Sequence, residues 1–233
     1  MNKKEREEIS MTLEDLKEAR IRILGFDPEY ERGCRIAVRE NPRNLIYIQN
    51  QTHDILLDAI KRDGYVLQHV KDQTEELCLE AVEMNPNSLQ FVKDQTLAIC
   101  LKAVKLYGKA LKYVKDQTPE ICLEAVKQNG LALYFVKEQT KEICLAAVEE
   151  NGLALKFVKK QTPEICKVAI KQDCNALQFV KNQTEEMCLE AVKRDGSTLE
   201  YVKDQTEEIC KAAYENNKTS ILFMKDLSMV ADE

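Results

Sequence analysis

A 22-residue period runs through almost the whole chain and limits what it can fold into more than any other feature. Gln-Thr pairs fall at 51–52, 73–74, 95–96, 117–118, 139–140, 161–162, 183–184 and 205–206, with no insertion or deletion between them. A fixed period of roughly 20–50 residues marks a repeat architecture, in which each small unit buries its apolar face against its neighbours. Such a chain builds a surface more readily than a catalytic pocket. Nine units are expected, starting at Tyr30, Thr52, Thr74, Thr96, Thr118, Thr140, Thr162, Thr184 and Thr206 and together spanning 30–227. Residues 1–29 read as an N-terminal helical cap, with a helix from about Leu13 to Leu24 behind Thr12, and 228–233 as a C-terminal tail.

Within a unit, positions are counted from the Thr as zero. The Thr is an expected N-cap, and Pro119 and Pro163 follow it at the first helical position, which Pro favours. A helix of about eleven residues should follow. Gly64, Gly108, Gly130, Gly152 and Gly196 read as left-handed glycines closing it, with Pro42, Pro86, Cys174 and Lys218 in the same slot. A shorter second helix is expected next, for example Ala132 to Glu138. Neither helix is long enough to stand alone in water, so stability must come from stacking. The apolar columns are positions three, four, five, seven and eight of the first helix and fifteen, seventeen and eighteen of the second. The aromatic column at seventeen, such as Phe135 and Phe157, is expected to fill the space between layers. The fold class is therefore all-α, an α-solenoid of nine helix-turn-helix repeats.

The pattern V-K-x-Q-T-x-E-I-C-L-x-A-V-x-x-N-G-x-A-L over residues 30–227 resembles a tandem repeat catalogued as a domain of unknown function, found in bacterial, phage and large-virus proteins. The first unit lacks the Thr and the ninth ends in Leu227. The resemblance implies an α-solenoid and brings no catalytic residues.

Eight of the nine Cys stand in one register, from Cys34 through Cys78, Cys100, Cys122, Cys144, Cys166 and Cys188 to Cys210, and Cys174 alone is off it. One Cys per unit is not a pairing pattern. Successive layers lie about 10 Å apart, too far for two Cys to share a zinc ion. The column reads as reduced core, which together with the charged start MNKKEREEIS suggests the cytoplasm. No apolar run reaches about 18 residues, so no membrane span is expected. The two His, His53 and His69, have no nucleophile marked beside them, and no phosphate-loop, dinucleotide or zinc-protease motif is present. The reading is a non-enzyme without cofactor.

Two candidate surfaces remain. A Lys stands at position nineteen in Lys71, Lys93, Lys115, Lys137, Lys159, Lys181, Lys203 and Lys225, a ladder that could track the phosphates of a single-stranded nucleic acid. The next column, with six acids and Lys160, leaves the two columns together at only +3, and the chain carries −6, which argues against nucleic acid. The Gln before each Thr reads as a structural ladder serving loop backbone groups. Positions ten, thirteen and sixteen vary and are free to carry specificity. There Met84, Leu106, Leu131, Tyr134 and Leu153, with Tyr107 beside them, form an apolar group in the middle units, the expected partner-binding face. The leading expectation is a protein–protein interaction scaffold whose partner is another protein. One concrete version is a phage or mobile-element inhibitor of a host defence complex.

Overall fold

The structure, a computed structural model, describes residues 27–230. The chain falls into two compact units, residues 1–93 and 94–233. Among the described residues every element is helical and no strand occurs. The fold class is an all-α solenoid of tandem two-helix repeats, each packed on its neighbours within its unit. The first unit holds the repeats whose α-helices are Pro28–Glu40, His53–Ile60 and Glu75–Met84. The second holds those at Leu97–Leu106, Pro119–Gln128, Lys141–Glu150, Pro163–Gln172, Glu185–Arg194 and Glu207–Asn216. The expected cap helix at 13–24 lies outside the described residues. The short helix Leu227–Val230 packs on Glu207–Asn216, where the sequence suggests only a tail.

Sequence logic and structure agree at the helix starts. Thr140 accepts a hydrogen bond from the Ile143 N–H at 3.2 Å, and the same bond recurs from Thr74 through Thr206. Thr52 makes none and instead donates its hydroxyl to Glu31 at 3.1 Å. The eight register Cys are buried, and Cys174 is half-buried at the start of a short helix.

Three expectations are corrected. The second helix is a six-residue 3-10 helix, Gly130–Phe135 in the fifth repeat, rather than 132–138. Its three-residue turn sorts the side chains. Gly130, Leu133 and Val136, three apart, line the core together with Ala132, while position thirteen is half-buried and position sixteen faces outward.

That sorting also corrects the aromatic column. Phe91, Tyr113, Phe135, Phe157, Phe179 and Tyr201 are only half-buried, and Tyr47 is 82% exposed. Leu, Ile, Val and Ala fill the space between layers.

The third correction concerns the glycines. None has a left-handed φ. The residue before each is extended, as Asn151 at φ −148, ψ 108, and Gly is the first residue of the next helix. Gly is needed because the backbones approach closely. A Cβ at Gly152 would sit 2.5 Å from the Ala169 carbonyl oxygen of the following repeat.

Candidate functional site

The repeated polar residues turn out to be the joints between repeats. Gln161 donates to the carbonyls of Leu155 at 3.4 Å and Phe179 at 2.9 Å, and accepts from the Lys181 N–H at 3.0 Å. The Cys166 thiol points at the same Gln oxygen at 3.8 Å. One amide therefore ties two successive repeats at backbone groups that burial would otherwise orphan. Burial pushes up the thiols of Cys100, Cys122, Cys144, Cys166, Cys188 and Cys210, that of Cys188 to about 11, so these stay protonated and unreactive at neutral pH.

The Lys ladder is engaged in the same task. Lys137 Nζ donates to the Lys115 carbonyl at 2.8 Å, Lys159 to the Lys137 carbonyl at 2.9 Å, and Lys203 to the Lys181 carbonyl at 2.7 Å. In the first unit Lys71 reaches the Gln49 carbonyl and Lys93 that of Lys71. Each ammonium spends a donor on the rung before it.

Position ten, expected to be free for specificity, is mostly a joint as well. Gln128 accepts from the Gly108 N–H at 2.6 Å, Gln172 from Gly152 at 2.6 Å and Asn216 from Gly196 at 2.8 Å, and Glu150 accepts from Gly130. Arg194 follows Cys174 rather than Gly, and its guanidinium reaches back to the carbonyls of Ile170 and Lys171, both at 2.6 Å. The sequence held a signal for this pairing, since a Gly and an oxygen-bearing side chain recur twenty residues apart.

Position eleven, which carries no signal in the hydrophobic pattern, is a second cap. Asn41, Asp63, Asn85, Asn129, Asn151, Asp173, Asp195 and Asn217 each accept from the N–H two residues on, opening the 3-10 helix. Tyr107 occupies that place in the fourth repeat and makes no such bond.

The apolar candidates stand out against these joints. Leu106 ends its α-helix 43% exposed, and Tyr107 beside it is 37% exposed. Leu131 and Leu153 are half-buried at equivalent places in adjacent 3-10 helices that pack side by side. Tyr134 is 65% exposed, and its ring lies 5.0 Å from Phe135 and 5.1 Å from Phe157 of the next repeat. The structure thus brings Leu131, Tyr134 and Leu153 onto adjacent repeats of the second unit, with Leu106 and Tyr107 one repeat earlier. Met84, 47% exposed, belongs to the first unit.

Elsewhere His69 is half-buried in the aromatic column. His53 stands at a helix start with Nε2 3.8 Å from Glu76. Among the described residues no group of three or more His, Cys, Asp or Glu converges on a point, and no helix is long and apolar enough to cross a membrane.

The family whose model matches is described as a domain of unknown function (DUF4116), with matches over residues 52–97, 74–117, 96–140 and 140–183, together more than half of the chain. No curated protein and no solved structure matches.

Proposed function

The chain belongs to the DUF4116 family, and from its repeats we propose a non-enzymatic scaffold that binds another protein along the second unit. The observation that carries this reading is Tyr107. It stands where the other eight repeats place an Asn or Asp cap, and it gives up the capping bond for a partly exposed aromatic ring. Losing such a cap costs about 1 kcal/mol, so the local fold gains nothing from that exchange. Leu106 beside it and Tyr134 in the next repeat are exposed apolar residues in columns that are polar in most repeats. Tyr is among the residues enriched in binding hot spots, where one truncation costs about 2 kcal/mol or more. The buried thiol column suits a reducing compartment, the cytoplasm. The narrower form, suggested by resemblance to repeats of phage and virus proteins, is occlusion of a host complex.

The test is a double variant that returns two positions to residues found elsewhere in their columns, Tyr107→Asn with Tyr134→Gln. A partner captured by wild-type protein and identified by mass spectrometry is titrated against both proteins. Stability at or above wild type with binding weakened at least tenfold supports the scaffold reading. A stable variant that binds the same partner at full strength overturns this face.

A further inference from the structure

Two neighbouring clefts of the second unit differ in one respect. One, of about 310 Å³, is lined by Lys115, Asp116, Lys137 and Glu138, so its charges balance. The next, of about 350 Å³, shares Lys137 and adds Lys141, Lys159 and Lys160 over a floor that includes Cys144 and Ile165. Two local departures from the repeat create the difference. Position twenty is acidic in Asp72, Asp94, Asp116, Glu138, Asp204 and Asp226 but Lys in Lys160, and Lys141 stands where Glu75, Glu185 and Glu207 begin their helices. Lys141 pairs with the next repeat through Glu164, whereas Lys160 makes no such joint.

The electrostatics are specific to this cleft, because the chain as a whole carries −6. Lys141 is 2.5 Å from Glu164, which offsets one charge. Lys137 and Lys159 each give one N–H to a backbone carbonyl, which uses a donor and leaves the charge in place. Lys160 has no hydrogen-bond or ion-pair partner among the described residues. Lys137 is balanced in the first cleft, so the uncompensated charges of this concavity are those of Lys159 and Lys160. Its volume lies within the range of small-ligand sites, roughly 300–1,000 Å³, and a cleft lined by one sign of charge concentrates the opposite ion.

We propose that this cleft binds a phosphate group, with Lys159 and Lys160 as its donors. A phosphate dianion matches the excess charge better than a single carboxylate, and Lys serves phosphate as a point charge without needing a fixed fork. The buried edges of Cys144 and Ile165 leave an apolar floor on which a short organic body can lie. The inference is independent of the protein-binding face.

The probes are inorganic phosphate and phenyl phosphate, titrated by calorimetry at constant ionic strength. Both are expected to bind the wild type. Phenyl phosphate binding more tightly identifies a phosphoryl group on an organic body as the ligand, and equal binding identifies free phosphate. Lys160→Asp restores the residue the column carries in five other repeats and should weaken binding at least tenfold with thermal stability unchanged. Lys160→Asn, the residue at Asn182, provides a second variant if the first loses stability. Absence of binding by the wild type, or equal binding by a folded Lys160 variant, overturns the proposal.

Discussion

The first joint of the first unit and the inner joints of the second solve the same stacking problem by different means. Between the helices Pro28–Glu40 and His53–Ile60, Arg35 meets Asp58 at 2.6 Å and Asp54 at 3.1 Å, and Arg39 meets Asp58 at 3.0 Å. The slot residue there is Pro42, and a Cβ added at Gly33 would meet nothing within 4 Å. Between the sixth and seventh repeats the backbones close to contact at Gly152, whose N–H is taken up by Gln172. The ionic joint relies on partly exposed side chains, and the inner joint on backbone groups removed from water. Exposed ion pairs are worth about 0–1 kcal/mol, whereas a buried N–H left without a partner costs about 1–3 kcal/mol. The inner joints should therefore be the less forgiving.

The largest expected effect comes from one substitution made at both places. Gly152→Ala drives a methyl into the Ala169 carbonyl and should cost about 3 kcal/mol, the upper end for overpacking. Gly33→Ala, inside a helix with nothing within 4 Å, should gain up to about 1 kcal/mol. Urea unfolding of the two variants checks the opposite signs, and a loss at both would erase the distinction between the joints. Next in size is Gln161→Leu, which removes the acceptor of the Lys181 N–H and the donor to Phe179. A loss of about 2 kcal/mol is expected, read as faster hydrogen exchange over 174–183. Unchanged exchange there would mean that water replaces the amide without cost.

The smallest effect is the pH response of the ionic joint. Burial pushes the Asp58 carboxyl up, but the hydrogen bonds and charges of Arg35 and Arg39 outweigh it and hold the group below the ordinary carboxylate range. A depressed folded-state value means that the contribution is present above the unfolded value of about 3.9 and is lost as pH falls through the lower folded one. The stability difference between wild type and Asp58→Asn should therefore be constant from neutral pH to about pH 5 and shrink toward zero below it. A difference that persists at pH 2 would mean that Asp58 contributes through packing rather than charge.

The period makes the stacking and the buried columns legible in the sequence, because position-by-position apolarity needs only burial to explain it. Cys144, Ala147 and Val148 are of this kind. The 3-10 geometry was hidden because six residues are too few for periodicity to separate it from an α-turn. The glycines misled because a Gly after a helix signals either a left-handed turn or a close approach, and only neighbouring backbone tells them apart. Gln172 and Arg194 looked variable because one joint accepts a hydrogen bond and the other donates. Tyr107 could be seen as an oddity only once position eleven was known to be a cap.

The claim that most of the rest depends on is that the repeated polar columns hold the fold and that Tyr107 is a departure the fold does not require. A reciprocal swap tests it directly, with Tyr107→Asn and Asn129→Tyr measured by thermal unfolding of the full chain. The account predicts that the first gains and the second loses about 1 kcal/mol, a shift of about 2–4 °C in each direction for a chain of this size. A lower midpoint for Tyr107→Asn would contradict it, because the Tyr would then be part of the packing rather than a residue released for binding.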